Sequence, residues 1–169
     1  MSTDRPTPAW LTPVSELLAQ PAPEFSPDVT PEEGRELVRR LNEPGGAQLP
    51  LNESEHEFVL SEPAVRDGDQ VERLHQALDE DGGNDLYSRG IRAGLAYAEG
   101  RTSAPLTGHQ PDGPPLGADL YREVAVANES VQGALDQPLP HPQDYVVGVE
   151  ATCLWLICHT DTPPLDLHT

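Results

Sequence analysis

The sequence predicts a mostly α-helical protein: a four-helix core of two αα-hairpins, one or two accessory helices ahead of it, and a proline-rich N-terminal tail. Three observations carry that expectation. Apolar residues recur at helical spacing in separate segments after residue 69, helix-capping signals open those segments, and Pro and Gly clusters divide them. A chain of 169 residues favours one domain, and its 19 prolines and 14 glycines mark part of that length as linker. The expected organisation is a tail over 1–30, an accessory helix and irregular segment over 31–68, and a helical core over 69–169.

In the tail, Pro6, Pro8, Pro13, Pro21, Pro23 and Pro27 exclude a long helix or a central strand. Thr12 and Pro13 permit one short turn through Leu17 and Leu18, with Trp10 as an apolar anchor for anything the tail binds. Thr30-Pro31-Glu32-Glu33 then combines an N-cap, a proline at the first helical position and a glutamate three residues on. A helix should follow to about Glu43, where Pro44-Gly45-Gly46 stops it. The stretch 47–67 reads as irregular, with Glu57-Phe58-Val59-Leu60 as its best short strand.

Asp69 and Glu72 mark another capped start, and Val71, Leu74 and Leu78 follow at helical spacing until Gly82-Gly83. Asn84 is the expected cap of the next helix, which places Tyr87, Ile91, Gly94 and Ala98 on one stripe and Gly90, Ala93 and Tyr97 on the adjoining one. So short a connection makes the two helices antiparallel neighbours, the hairpin 69–105. Gly90 and Gly94 suit either close packing inside the chain, the commoner use in a soluble protein, or a homo-oligomer contact.

After a Pro/Gly linker over 106–117, Leu120, Val124, Ala127, Val131 and Leu135 form a long apolar stripe. A turn over 138–142 leads to 145–158, from Tyr145 to Cys158, which completes the second hairpin, 118–163. That last segment is apolar on all sides and rich in β-branched residues, so periodicity alone leaves a buried strand open. An internal repeat favours helix. At a shift of 58 positions, Tyr87, Gly90, Ala93, Thr102 and Pro105 fall on Tyr145, Gly148, Ala151, Thr160 and Pro163. The segment is therefore expected to be a helix at the centre of the core.

Twenty-nine acidic residues against ten basic ones give a formal net charge of −19, and every basic residue is arginine. Without lysine, Schiff-base and pyridoxal chemistry and the lysine-bearing phosphate loop are excluded. Such a polyanion is repelled by nucleic acid phosphates and anionic membranes, so direct partners should be neutral or basic proteins. The absence of lysine fits a GC-rich genome better than adaptation to high salt. Cys153 and Cys158 are spaced so that one helix cannot bridge them, and they read as buried thiols of a reducing cytoplasm. Neither a signal peptide nor a membrane span is expected: the most apolar stretch falls short of the roughly 20 residues a spanning helix needs.

Candidate sites are sparse. Asp79-Glu80-Asp81 with Asn84 and Asp85 invites a calcium loop, but the sixth and twelfth positions are Asn84 and Gly90 where Gly and Glu are required, so a solvated turn is expected. Glu53, Glu55, His56 and Glu57 read as a charged, exposed edge, and Cys153, Cys158 and His159 lack metal-ligand spacing. No catalytic, cofactor-binding or metal residue is assigned. The leading expectation is a small cytoplasmic protein that acts by protein–protein interaction without catalysis. One alternative is an acidic nucleic-acid mimic that inhibits a DNA-binding protein. Another is a metal-dependent enzyme using Glu53, Glu55, Glu57, Asp81 and Asp85 with His56 or His75.

Overall fold

A computed structural model describes residues 28–167. The expected tail, with its turn at Thr12 and the Trp10 anchor, lies outside the described residues except for Asp28, Val29 and Thr30. Among the described residues the protein is all-helical: α1 (Pro31–Leu41), α2 (Glu53–Ser61), α3 (Gly68–Asp81), α4 (Leu86–Ala98), α5 (Gly117–Val131) and α6 (Gln143–Leu156), with one 3-10 turn at Gly46–Gln48.

Local chemistry sets the ends of these helices. The Glu33 amide donates to Thr30 Oγ1 (3.2 Å), the cap that the Thr-Pro-Glu-Glu signal predicts, and α1 stops two residues short of Glu43. The cap of α3 is Asp67, ahead of the expected Asp69, and that of α4 is Asp85, one residue beyond Asn84. The strand expected over 57–60 is instead the C-terminal half of α2. Its start is fixed by a reciprocal box in which the Glu55 amide donates to Asn52 Oδ1 (2.8 Å) and the Asn52 amide to Glu55 Oε1 (3.2 Å). The apolar stripe expected to continue to Leu135 ends with α5 at Val131.

The segment 145–158 is helical through Leu156 and occupies the centre of the core. Val146, Val149, Cys153, Trp155 and Leu156 of α6 are buried, and both α4 and α5 pack on it. Its contact with α4 is backbone against backbone. A Cβ on Gly90 would sit 2.2 Å from the Tyr145 carbonyl oxygen, and one on Gly148 would sit 2.3 Å from that of Tyr87. Four residues on, a Cβ on Gly94 would meet Thr152 at 3.1 Å, so the two helices advance in the same direction through the contact. The 58-residue shift of the sequence repeat carries Tyr87, Gly90 and Gly94 of α4 onto Tyr145, Gly148 and Thr152 of α6, the residues that meet in this contact.

The repeat also governs how the helices end. Arg101 N donates to Ala96 O and Gly100 N to Tyr97 O; 58 residues later His159 N donates to Leu154 O and Cys158 N to Trp155 O. Both are Schellman caps, which require a left-handed residue after the cap. Gly100 fills that position with φ +75°, and Cys158 fills its counterpart with φ +58°.

Within the first hairpin α3 and α4 run antiparallel, with Arg92 donating to the Leu78 carbonyl (3.1 Å) and His75 meeting Glu99. Leu37, Leu41 and Val59 from α1 and α2 enter the same apolar core as Leu74, Leu95 and Trp155. None of the described helices is long and apolar enough to cross a membrane.

Candidate functional site

An acidic concavity lies between α1 and α2. It is a cleft of about 570 Å³ lined by Asp28, Glu32, Glu33, Glu36, Glu55 and Arg40 over a floor that includes Leu37. Glu32 and Glu33 stand in the first turn of α1, where the helix dipole favours carboxylates. Arg39 meets Glu36 and Glu43, and Arg40 reaches Glu55 across the cleft at 3.3 Å. The hydrogen bond from Arg39 holds the Glu36 carboxyl below the ordinary glutamate value. Asp28, Glu32 and Glu33 enter no ion pair among the described residues.

Three of the residues singled out for metal or acid–base work, Glu55, His75 and Asp85, serve separate tasks. Glu55 is held by Arg40 and by the cap of α2, and His75 of α3 pairs with Glu99 at the C-terminal end of α4. Asp85 accepts the Ser88 amide at 2.8 Å, and that bond is the main reason its carboxyl lies below the ordinary aspartate value. Among the described residues no group of three or more His, Cys, Asp and Glu side chains is disposed to hold a metal ion. Cys153 is enclosed in the core, where burial pushes its thiol well up, and burial likewise pushes Cys158 up to about 11. Neither thiol is poised as a nucleophile.

Two buried charges escape the sequence reading. Glu123, 1% exposed on α5, accepts hydrogen bonds from the Leu106 amide (2.8 Å), the Thr107 amide (3.2 Å) and the Thr107 hydroxyl (2.6 Å). Burial raises its pKa, and the three donors oppose that rise only in part. The carboxylate thereby fastens the Pro/Gly linker to the core. Arg66, 6% exposed, donates to the Trp155 carbonyl (2.9 Å) and the Thr160 carbonyl (2.7 Å), with its guanidinium 5.0 Å from the Trp155 ring centre. It closes the C-terminal end of α6, where the helix dipole favours a cation.

A second cleft, of about 250 Å³, lies where α1 and α2 meet the residues after α6, lined by Leu41, Ala47, His56, Val59, Cys158 and His159 among others. Among the described residues the buried side chains of Glu123, Arg66 and Thr152 have structural partners, whereas the buried Tyr97 hydroxyl and Arg40 Nε have no hydrogen-bond partner. No protein-family model, curated protein or solved structure matches this chain.

Proposed function

We propose that this protein acts by binding a basic partner protein in the cytoplasm, in a regulatory or accessory role, with the cleft between α1 and α2 as the principal contact. The observation that carries the reading is the trio Asp28, Glu32 and Glu33, which line that cleft without an ion-pair partner among the described residues. The net charge of −19 supports it: the field of so acidic a molecule accelerates encounter with a cationic surface and repels anionic ones. Arg40 and Leu37 supply a boundary and an apolar floor, so an arginine or lysine side chain entering the cleft meets carboxylates around its head and hydrocarbon along its stem. The alternative of a metal-dependent enzyme has less support, since Glu55, His75 and Asp85 are each engaged in a separate pairing and the described residues hold no group of three potential metal ligands.

The test is the triple variant Asp28→Asn/Glu32→Gln/Glu33→Gln, compared with the parent for binding of an arginine-rich peptide by calorimetry over a range of salt. The parent should bind with an affinity that falls as salt rises, and the variant should bind roughly tenfold or more weakly. Equal binding by both proteins rejects the cleft. Captured partners that duplex DNA displaces would identify the contact as nucleic-acid mimicry, whereas indifference to DNA would point to an ordinary protein ligand.

A further inference from the structure

Three rings converge where α2, α5 and the residues after α6 meet. The His159 ring centroid lies 5.8 Å from that of His56 on α2 and 5.8 Å from that of Tyr121 on α5. Both imidazoles line the smaller cleft beside Cys158. The charged groups around them are few. From α2 come Glu53, Glu55 and Glu57, flanking His56 in sequence, with Glu55 engaged by Arg40. From the segment before α3 comes Arg66, and after α6 comes Asp161; these two act on Cys158 with opposite sign. Asp161 is already occupied, accepting the Gly45 amide (2.9 Å) and the Ala47 amide (3.0 Å).

We propose that His56 and His159 form a proton-operated latch between the α1–α2 arm and the end of α6, closed while both rings are neutral and loosened when acid charges them. Neutral imidazoles pack against each other without electrostatic cost. Two imidazolium ions at this separation repel. Burial, and then the charge of His56, hold His159 below the ordinary histidine value. With a depressed folded value, the closed state is fully favoured above the ordinary histidine pKa and loses ground as pH falls through the folded one. The bonds that should feel the strain are those stitching the arm to the core: the Gly45 and Ala47 amides to Asp161, and the Arg66 amide to the Leu156 carbonyl (3.0 Å).

Amide hydrogen exchange of the whole chain, measured by NMR at pH 7.5 and 5.5 and corrected for intrinsic rates, tests this. Protection of the Gly45, Ala47 and Arg66 amides should fall roughly three- to tenfold at the lower pH relative to the Val149 amide in α6, and His56→Gln should abolish the difference. Unchanged protection in the parent overturns the latch, as does an equal loss in His56→Gln, which would assign the effect to another group. Imidazole titration supplies a second readout: His159 should titrate higher in His56→Gln, and an unmoved titration overturns the coupling between the rings.

Discussion

Replacing Gly148 by alanine puts the central contact of the fold to a direct test. The added methyl would lie 2.3 Å from the Tyr87 carbonyl oxygen and 3.1 Å from both Gly90 Cα and Ile91 N, all backbone atoms that no side-chain rotation can move aside. Ordinary contact needs about 3.5 Å, so α4 and α6 must part by about 1 Å over this turn. Overpacking of this kind costs about 1–3 kcal/mol, while the better helix propensity of alanine returns at most about 1 kcal/mol. The net expectation is a loss of about 1 kcal/mol, or a fall of about 3 °C in Tm for a chain of this size. Gly90→Ala should cost as much, and because both methyls force the same separation, the double variant should lose less than the sum. Gly68→Ala is the control, since no heavy atom lies within 4 Å of its added carbon. Thermal unfolding by circular dichroism and urea titration measure all four variants. A Gly148→Ala protein as stable as the parent or as Gly68→Ala would refute the contact.

Gly100→Ala, at φ +75° with open space around it, should cost about 1 kcal/mol through backbone conformation alone, read from urea midpoints; no loss would mean the cap had rearranged. Glu123 has a raised folded pKa, so the stability its protonated form brings is complete below the ordinary glutamate value and is lost as pH rises through the folded one. Glu123→Gln should therefore flatten the pH dependence of stability above pH 4, and parallel curves for the two proteins would count against this. Arg66→Ala should lose about 2–4 kcal/mol with a shift in tryptophan emission, and Arg66→Lys should recover only part, because one ammonium cannot span both carbonyls while facing the Trp155 ring.

The helices were legible where capping chemistry and apolar spacing agree. Thr30 and Glu33 announce α1, and the echo of Tyr87 and Gly90 in Tyr145 and Gly148 identifies the last apolar segment as a helix when its periodicity does not. The same echo holds a structural relation that identity counts conceal, because Gly100 and Cys158 share a backbone conformation and no chemistry. α2 was misread because Phe58, Val59 and Leu60 are consecutive and the helix buries only Val59, which leaves no helical stripe to detect; the Asn52 and Glu55 box was the available signal. Glu123 and Arg66 were invisible for a different reason. Their partners lie 16 to 94 residues away in sequence, and nothing local distinguishes a glutamate that fastens a loop from one that faces water. The acidic cleft was legible as charge, and its shape depended on how α1 and α2 meet.

At the crossing of α4 and α6 the closest approach is made by the main chains. Each glycine directs a hydrogen at the carbonyl oxygen of the opposing tyrosine, along the bond on which a methyl would stand 2.2 or 2.3 Å away. Such C–H···O contacts are worth on the order of 0.5 kcal/mol each, and here they come as a mutual pair. The spacing of the two central helices is consequently set by peptide geometry, which evolution cannot retune by exchanging one hydrocarbon for another. Drift in the surrounding aliphatic residues alters how firmly the molecule holds together and leaves the positions of α4 and α6 where they are.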